Sequence, residues 1–414
     1  MNGGLGNQLF QYATARSLSL DKNSDFLMNL SFYNREYAKS LAHVDFKLNH
    51  FNVDFNKQIE EDDINKYDNV QKIVEPLSSQ NFSEFIDFSK YTGNIHLIGF
   101  WQNEKYFKHN QKIIKKELQV ITPPNKKNQK LLDEISESNA ICISFRRGDY
   151  LDPIYLANFG MCTEDYYKKA INFIIKKVKN PIFFTFSDDR EWIENNIDLN
   201  FPTVPVNING VEDAHEELRL MMSCKHFIIA NSTFSWWGAW LSNNPHKYVI
   251  APTPWFNTFT KQYVLCQDWI HLKCDRSDLF NKSNFKIFEL VSDEDLKKID
   301  FNGFFKSIGE FGISLISNDE NSKIRFLFDE KLGNNLNEYI IEFKLFSNKK
   351  SLIKINYGEP YSIALGYNKG YSKKYLHLSK INLNDLILNI NDDSLIIENI
   401  TIKSVDSRFK LILK

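Results

Sequence analysis

The spacing of hydrophobic and polar positions changes character twice along this chain, and the changes divide it into three stretches. Over residues 8–20, Leu9, Tyr12, Ala13 and Arg16 recur near the helical period, which predicts a helix close to the start. The run at 95–101 (Ile-His-Leu-Ile-Gly-Phe-Trp) reads as a buried strand entering a loop. From about 136 onward, apolar runs of strand length at 140–145, 181–186 and 226–230 alternate with amphipathic helical stretches at 164–177 and 213–223. That alternation implies βαβ units and a parallel sheet. Beyond 276, a charged connection around 292–300 gives way to short runs of period two. Tyr339, Ile341, Phe343 and Leu345 alternate with polar neighbours, as do Leu376 with Leu378 and Leu411 with Leu413, and 351–357 and 395–405 are similarly strand-like. This pattern predicts an all-β sandwich of roughly 100 residues. The expected division is an N-terminal lobe at 1–135, an α/β lobe at 136–275, a connection at 276–300 and a smaller β-sandwich at 301–414. No internal repeat is visible.

Length agrees with this division, since 414 residues suit two or three units better than one. With 43% hydrophobic and 14% aromatic residues, the chain can build proper cores. Lys and Arg total 51 against 52 Asp and Glu, a net charge of −1, which argues against a nucleic-acid partner because such a surface needs excess positive charge. Cys142, Cys162, Cys224, Cys266 and Cys274 are odd in number and scattered, with no zinc-like spacing, and read as reduced thiols. The apolar runs are too short to span a bilayer and no signal peptide opens the chain. We expect a cytoplasmic protein, with any membrane association peripheral on the cytoplasmic face of the inner membrane.

Four segments carry candidate chemistry. The chain opens Asn2-Gly3-Gly4-Leu5-Gly6-Asn7-Gln8, glycines leading into a helix. Glycines let backbone N–H groups approach a ligand, and the helix start adds partial positive charge, so a diphosphate fits; a flexible tail before a helix is the plain alternative. There is no GxGxxG and no Gly-Lys-Ser/Thr, and a strand ahead of the turn is missing, so a Rossmann fingerprint or a P-loop fits poorly. Arg146 and Arg147, followed by Gly148 and Asp149, stand at a strand's C-terminal end, where open α/β sheets bind ligands. Their planar forks suit phosphate oxygens, with Asp149 as an orienter; a surface salt bridge is the competing reading. Ser187-Asp188-Asp189 ends another strand and suits the ring N–H and amino group of guanine, a metal ion, or simply a helix N-cap. The densest block is Asn231-Ser232-Thr233-Phe234-Ser235-Trp236-Trp237, a strand running through small polar residues into a tryptophan-rich helix. Its hydroxyls and N–H groups form a second anion cradle, whereas Trp236, Trp237 and Trp240 read mainly as core.

Together the blocks at 3–13, 99–107, 146–150, 187–189, 231–241 and 251–256 resemble glycosyltransferase family 11, the bacterial α-1,2-fucosyltransferases, over about residues 1–275. The resemblance implies a GT-B-like, two-lobed Rossmann-type α/β fold, with acceptor on the N-terminal side and donor in the second lobe. It implies inverting transfer of fucose from GDP-fucose to a galactose-containing glycan acceptor, on the 2-hydroxyl, with no metal or other cofactor. Arg146 and Arg147 would hold the β-phosphate and Asp188 would face guanine or ribose. Ser232, Thr233, Phe234 and Ser235, preceded by Asn231 and joined by Ser187, would line the diphosphate side, and Gly4, Gly6 and Asn7 would approach from the N-terminal lobe. Ser144 stands where the family pattern has a histidine two residues before the first arginine. Asp149 and Glu104 are the candidates for a general base. Two other classes stay open: a non-catalytic nucleotide-sugar or glycan-binding protein, and a metal-dependent transferase using Asp188 and Asp189. The C-terminal stretch with Tyr357, Tyr361, Tyr367, Tyr371 and Tyr375 reads either as exposed, sugar-binding aromatics or as packing.

Overall fold

The computed structural model describes residues 1–414 except 40–43, 55, 77–80, 258, 260, 275–284, 291–292, 303, 310–311, 318–321, 328–336, 348–350, 358–361, 382, 391, 393–394, 405–410 and 413–414. Helix α1 (Leu5–Asp21) begins directly after Gly4, three residues ahead of the periodicity in the sequence. The glycines therefore form the helix entrance rather than a tail before it. Gly3 adopts φ +76°, a left-handed turn that admits glycine without strain.

At the centre lies a six-stranded, wholly parallel sheet. Its strands in chain order are β1 (Asn139–Phe145), β2 (Pro181–Ser187), β3 (Thr203–Pro205), β4 (His226–Ile228), β5 (Val249–Thr253) and β6 (Ile270–Lys273). In space they run β3-β2-β1-β4-β5-β6. That order reverses direction between β1 and β4, and the crevice at such a reversal, outside the strands' carboxyl ends, is where open α/β sheets hold their ligands. Helices α2 (Lys126–Glu137), α3 (Pro153–Phe159), α4 (Glu164–Ile174), α5 (Arg190–Asn196), α6 (Ala214–Ser223) and α7 (Thr233–Leu241) accompany it. The amphipathic stretch at 164–177 is helical only to Ile174.

Both faces of the sheet are covered, so its strands read as unbroken apolar runs. Ala140, Cys142, Phe184 and Phe227 pack into one core, whereas Ile141, Ile143, Phe183 and Ile228 pack into another with Tyr166, Ile171 and Ile174 of α4. The first core joins the N-terminal region to the sheet. Phe10 of α1 sits 4.5 Å from the ring of Trp236 and 4.9 Å from that of Trp237, and all three are fully buried. These tryptophans are packing residues, the main reading of them in the sequence.

Among the described residues of 1–135, every sheet has two strands: Met28–Asn29 beside Gln58–Ile59, Gln71–Val74 beside Ile95–Ile98, and Asn81–Phe82 beside Lys261–Gln262. A full second Rossmann-type sheet is not built from them. The strand at 95–98 is half-buried, with Ile98 exposed, because it pairs with one neighbour only. The loop after it is fixed by Glu75, which is buried and accepts from Phe100 N (2.7 Å), Trp101 N (3.0 Å) and Ser83 Oγ (2.7 Å).

The C-terminal part holds two antiparallel sheets around one apolar core. Strands β7 (Phe285–Glu289), β9 (Phe304–Gly309), β10 (Gly312–Ser317), β12 (Asn337–Ser347), β15 (Gly370–Ile381) and β17 (Ile396–Ser404) form one sheet. Strands β8 (Ile299–Asn302), β11 (Ser322–Phe326), β13 (Ser351–Tyr357), β14 (Ser362–Tyr367) and β16 (Leu386–Ile390) form the other. One strand thus falls within 276–300, the stretch expected to be a connection, and a second begins there, because β7 pairs with β17 and β8 with β11. Leu411–Ile412 does not join either sheet but pairs in parallel with Ile197–Asp198, beside the central sheet. Of the tyrosine-rich stretch, Tyr357 and Tyr367 are core residues, Tyr375 is half-buried and Tyr371 is exposed; Tyr361 lies outside the described residues.

Candidate active site

The strand ends flanking the reversal bring the sequence candidates together. Arg146 and Arg147 follow β1, Ser187 and Asp188 close β2, and the 231–235 segment follows β4. Because β1 pairs with both β2 and β4, all three groups share one edge of the sheet.

The two arginines are held by carboxylates. Arg146 lies 2.8 Å (Nη1) from Asp188 Oδ2, an ion pair without hydrogen-bond alignment, and 2.7 Å (Nη2) from Asp149 Oδ1. Its guanidinium also lies 5.3 Å from the Tyr150 ring centre. Burial would favour a neutral arginine, but Asp188 and Asp149 outweigh it and hold the guanidinium charged. Arg147 donates from Nε to Asp189 Oδ2 at 3.2 Å and stacks 3.9 Å over Trp192. Its backbone N–H donates to Asp188 Oδ1 at 2.8 Å. Gly148 is required here, since a Cβ would stand 2.6 Å from Asp188 Oδ2.

Asp188, expected to face guanine or ribose, is engaged with the arginine segment. Both its oxygens serve the arginine segment, and its side chain is only 9% exposed. Asp189 is the N-cap of α5, accepting from Trp192 N at 3.2 Å, and Ser187 Oγ accepts from Asp189 N at 3.0 Å. The Asp188–Asp189 pair is thus engaged by two guanidiniums, which argues against its use as a metal-ligand pair.

Beyond β4 the block divides into a staple and a cradle. Asn231, expected to touch the donor, is buried and spends its Nδ2 on Phe159 O (3.1 Å), Gly160 O (2.9 Å) and Trp255 O (2.9 Å). Its carbonyl accepts from Tyr150 OH at 2.9 Å. It therefore fastens the ends of α3 and β5 to the start of α7. Ser232 is the N-cap of α7, and no side chain caps that helix, so the first-turn N–H groups of Thr233, Phe234 and Ser235 lack intrahelical acceptors. Gly6 packs against this turn: a Cβ there would meet Thr233 Oγ1 at 2.5 Å and Phe234 N at 2.7 Å. Two helix N-termini, α1 capped by Gly4 and α7 by Ser232, thus meet, each carrying roughly half a positive charge. Asn7 Oδ1 accepts from Gln102 Nε2 at 2.9 Å, which ties the 99–107 segment to the same corner.

Ser144 Oγ accepts from Ala230 N at 2.9 Å, keeping one hydrogen bond between the ends of β1 and β4. Of the two base candidates, Asp149 is 42% exposed and orients Arg146. Glu104 is bound by Lys108 Nζ at 2.9 Å. It also lies with Cys266 and Asp268 within metal-ligand reach, but Lys108, 3.5 Å from Asp268, already supplies a cation there. One group escaped the sequence reading. Glu217 of α6 stands 3.9 Å from Arg190 and near Asp188, and its pKa is pushed up to about 7, chiefly by burial, with Arg190 opposing and Asp188 reinforcing. Only its place in the helix that leads into β4 hinted at this.

Arginine forks and two helix starts without side-chain cap hydrogen bonds, at the reversal of a parallel sheet, suit a phosphorylated ligand. Comparison with known proteins gives the same direction. The family model described as "Glycosyl transferase family 11" matches residues 1–273. "Alpha-1,2-colitosyltransferase" of Escherichia coli is 35% identical over 271 residues, 61% of this chain and 90% of that protein. "O-antigen biosynthesis glycosyltransferase WbnK" of Escherichia coli is 30% identical over 299 residues, 66% of this chain and 99% of that protein. "Galactoside alpha-(1,2)-fucosyltransferase 1" of Rattus norvegicus is 25% identical over 291 residues, 67% of this chain and 73% of that protein.

Proposed function

Since this chain belongs to glycosyl transferase family 11 and is a glycosyltransferase, we propose that its donor is GDP-fucose and that it transfers fucose, with inversion, to the 2-hydroxyl of a galactose in a glycan. The observation that carries the reading is that Arg146 and Arg147, after β1, and the touching N-termini of α1 and α7, after β4, stand at the same edge of the sheet at its reversal. The bond from the fucose anomeric carbon to the β-phosphate oxygen breaks, and its electron pair leaves with GDP. The acceptor oxygen forms the new bond and its proton passes to a base or to solvent. The group to be stabilised is the departing diphosphate, and preorganised donors in a sheltered site do this most effectively.

Arg146 enters this role already paired with Asp149 and Asp188. Asp149, the more exposed of the two, is the partner that a phosphate oxygen displaces, while Asp188 keeps the arginine segment in place. The N-terminal region then presents Gly4, Gly6 and Asn7 to the donor, and no metal ion is needed. In a cell we place the enzyme on the cytoplasmic side, in peripheral contact with the inner membrane at most.

A second reading has one specific support: the relative at 35% identity is a colitosyltransferase. Incubating the chain with GDP-fucose or GDP-colitose and a panel of galactosides, followed by mass spectrometry and linkage analysis, decides between them. Transfer of fucose to O2 supports the first reading; transfer of colitose alone replaces it. Undiminished transfer in the presence of a chelator is expected, and its loss would return the metal-dependent class.

A further inference from the structure

A cavity of 380 Å³ opens between the loop after β5 and strand β15 of the C-terminal sheets. Thr253, Trp255 and Asn257 line one side, and Lys373, Lys374 and Tyr375 the other. Its size falls in the range of small-ligand pockets, and such pockets favour junctions between structural units. Neither side was given a part in the donor site above, and one half of the cavity comes from residues beyond the 1–273 family match.

The electrostatics of the cavity are one-sided. Among the described residues, none that is acidic lines it. Lys373 is neutralised, its Nζ lying 2.5 Å from Glu342 Oε2, which also accepts from Tyr375 OH at 2.7 Å. Lys374 has no ion-pair or hydrogen-bond partner among the described residues, and burial alone pulls its ammonium below the usual lysine range. Trp255 is buried with its indole N–H unpartnered. Ammonium and indole N–H are donors only, so each needs an acceptor to offset its loss of water. A half-buried cation without a counter-ion is costly, and an anionic occupant removes that cost.

The cavity also stands close to the candidate active site. Thr253 ends β5, which adjoins β4, so the cavity opens at the same carboxyl edge of the sheet as the donor groups. Asn231, immediately ahead of the α7 cradle, donates to the carbonyl of Trp255, a wall residue. On the same wall as Trp255, Asn257 donates to the carbonyls of Leu156 and Ala157 of α3, and Ala157 packs into the C-terminal core. A ligand here would touch the central sheet and the C-terminal sheets together.

We propose that this cavity binds a carboxylate-bearing sugar unit of the acceptor glycan, with Lys374 as its counter-ion. The inference rests on the transferase reading. One unpaired positive charge matches a monoanion, which selects a carboxylate over a phosphate dianion. The β region then serves as half of an acceptor subsite.

Titrating the full chain with glucuronate, galactose 6-phosphate, galactose and, separately, GDP, by ligand-observed NMR or calorimetry, tests this in the wild type, Lys374→Met and Lys374→Arg. Glucuronate is expected to bind the wild type, to weaken at least about tenfold in Lys374→Met (one lost charged hydrogen bond) and to be largely retained in Lys374→Arg. GDP affinity should be equal in all three, which also reports that the variants are folded. Equal glucuronate binding in wild type and Lys374→Met overturns the proposal, as does galactose binding as tightly as glucuronate. Tighter binding of galactose 6-phosphate overturns the choice of carboxylate. Failure of GDP to bind the wild type would sink the transferase reading itself; intact GDP binding with indifferent glucuronate sinks only the subsite.

Discussion

Gly6 and Thr233 touch so closely that a single methyl group on the glycine would stand 2.5 Å from the threonine Oγ1. They belong to the first turns of α1 and α7, which are separated by more than two hundred residues of chain. The contact sets the distance between two partial positive charges. Gly6→Ala is therefore expected to push the helix starts apart and lower turnover by about a hundredfold, the cost of a displacement near 1 Å. Steady-state kinetics beside a thermal melt check this; normal turnover in the variant would remove the paired-terminus argument.

Arg146 is the side chain on which the electrostatic claim depends most directly. Arg146→Ala should reduce turnover by about two to four powers of ten, comparable to losing a preorganised oxyanion donor or more. Near-normal transfer with normal donor affinity would discard the assignment.

Asp149 separates two roles. If it is a placeholder that the diphosphate displaces from Arg146, Asp149→Asn binds GDP more tightly, by about threefold to tenfold, the scale of a partly exposed ion pair. A general base gives the opposite pattern, unchanged GDP affinity with turnover greatly reduced and its acidic limb altered. GDP titration with a pH–rate profile distinguishes them.

Asn231 carries a stability prediction rather than a kinetic one. Its amide satisfies three carbonyls in a buried place. Asn231→Ala should cost roughly 2–4 kcal/mol, because those acceptors lose their partner without gaining water. Denaturant unfolding of the two proteins provides the measurement.

Glu217 gives stability a pH dependence. Its folded pKa, about 7, lies above the ordinary carboxyl value, so the folded state binds the proton more tightly than the unfolded chain does. The associated stability is fully present below the unfolded pKa, falls as pH rises and is gone above about 7. Glu217→Gln removes that slope. Between pH 5 and pH 8 its unfolding free energy should improve relative to wild type by roughly 1–3 kcal/mol; parallel curves would show that Glu217 titrates normally.

The central sheet was legible because its strands are buried on both faces and carry unbroken apolar runs between amphipathic helices. The arginine pair was legible because it follows such a run directly. Spacing fails where two polar residues look alike but face different ways. Asn231 and Ser232 are neighbours in a small polar cluster, yet one is consumed by three carbonyls and the other caps an open helix start. Asp188 and Asp189 likewise looked like one acidic pair, and the fold divides them between a backbone N–H with Arg146 and a helix cap with Arg147. The tyrosines stood open between binding and packing, and the fold decides for two of them: Tyr357 and Tyr367 end strands whose alternation turns them inward.

After the last long strand of the C-terminal sheets, the chain comes back to lay Leu411–Ile412 along Ile197–Asp198. The accessory part is accordingly tied back to the body it follows, like a handle rather than a pendant. Deleting Leu411 and Ile412 should free one end of that handle.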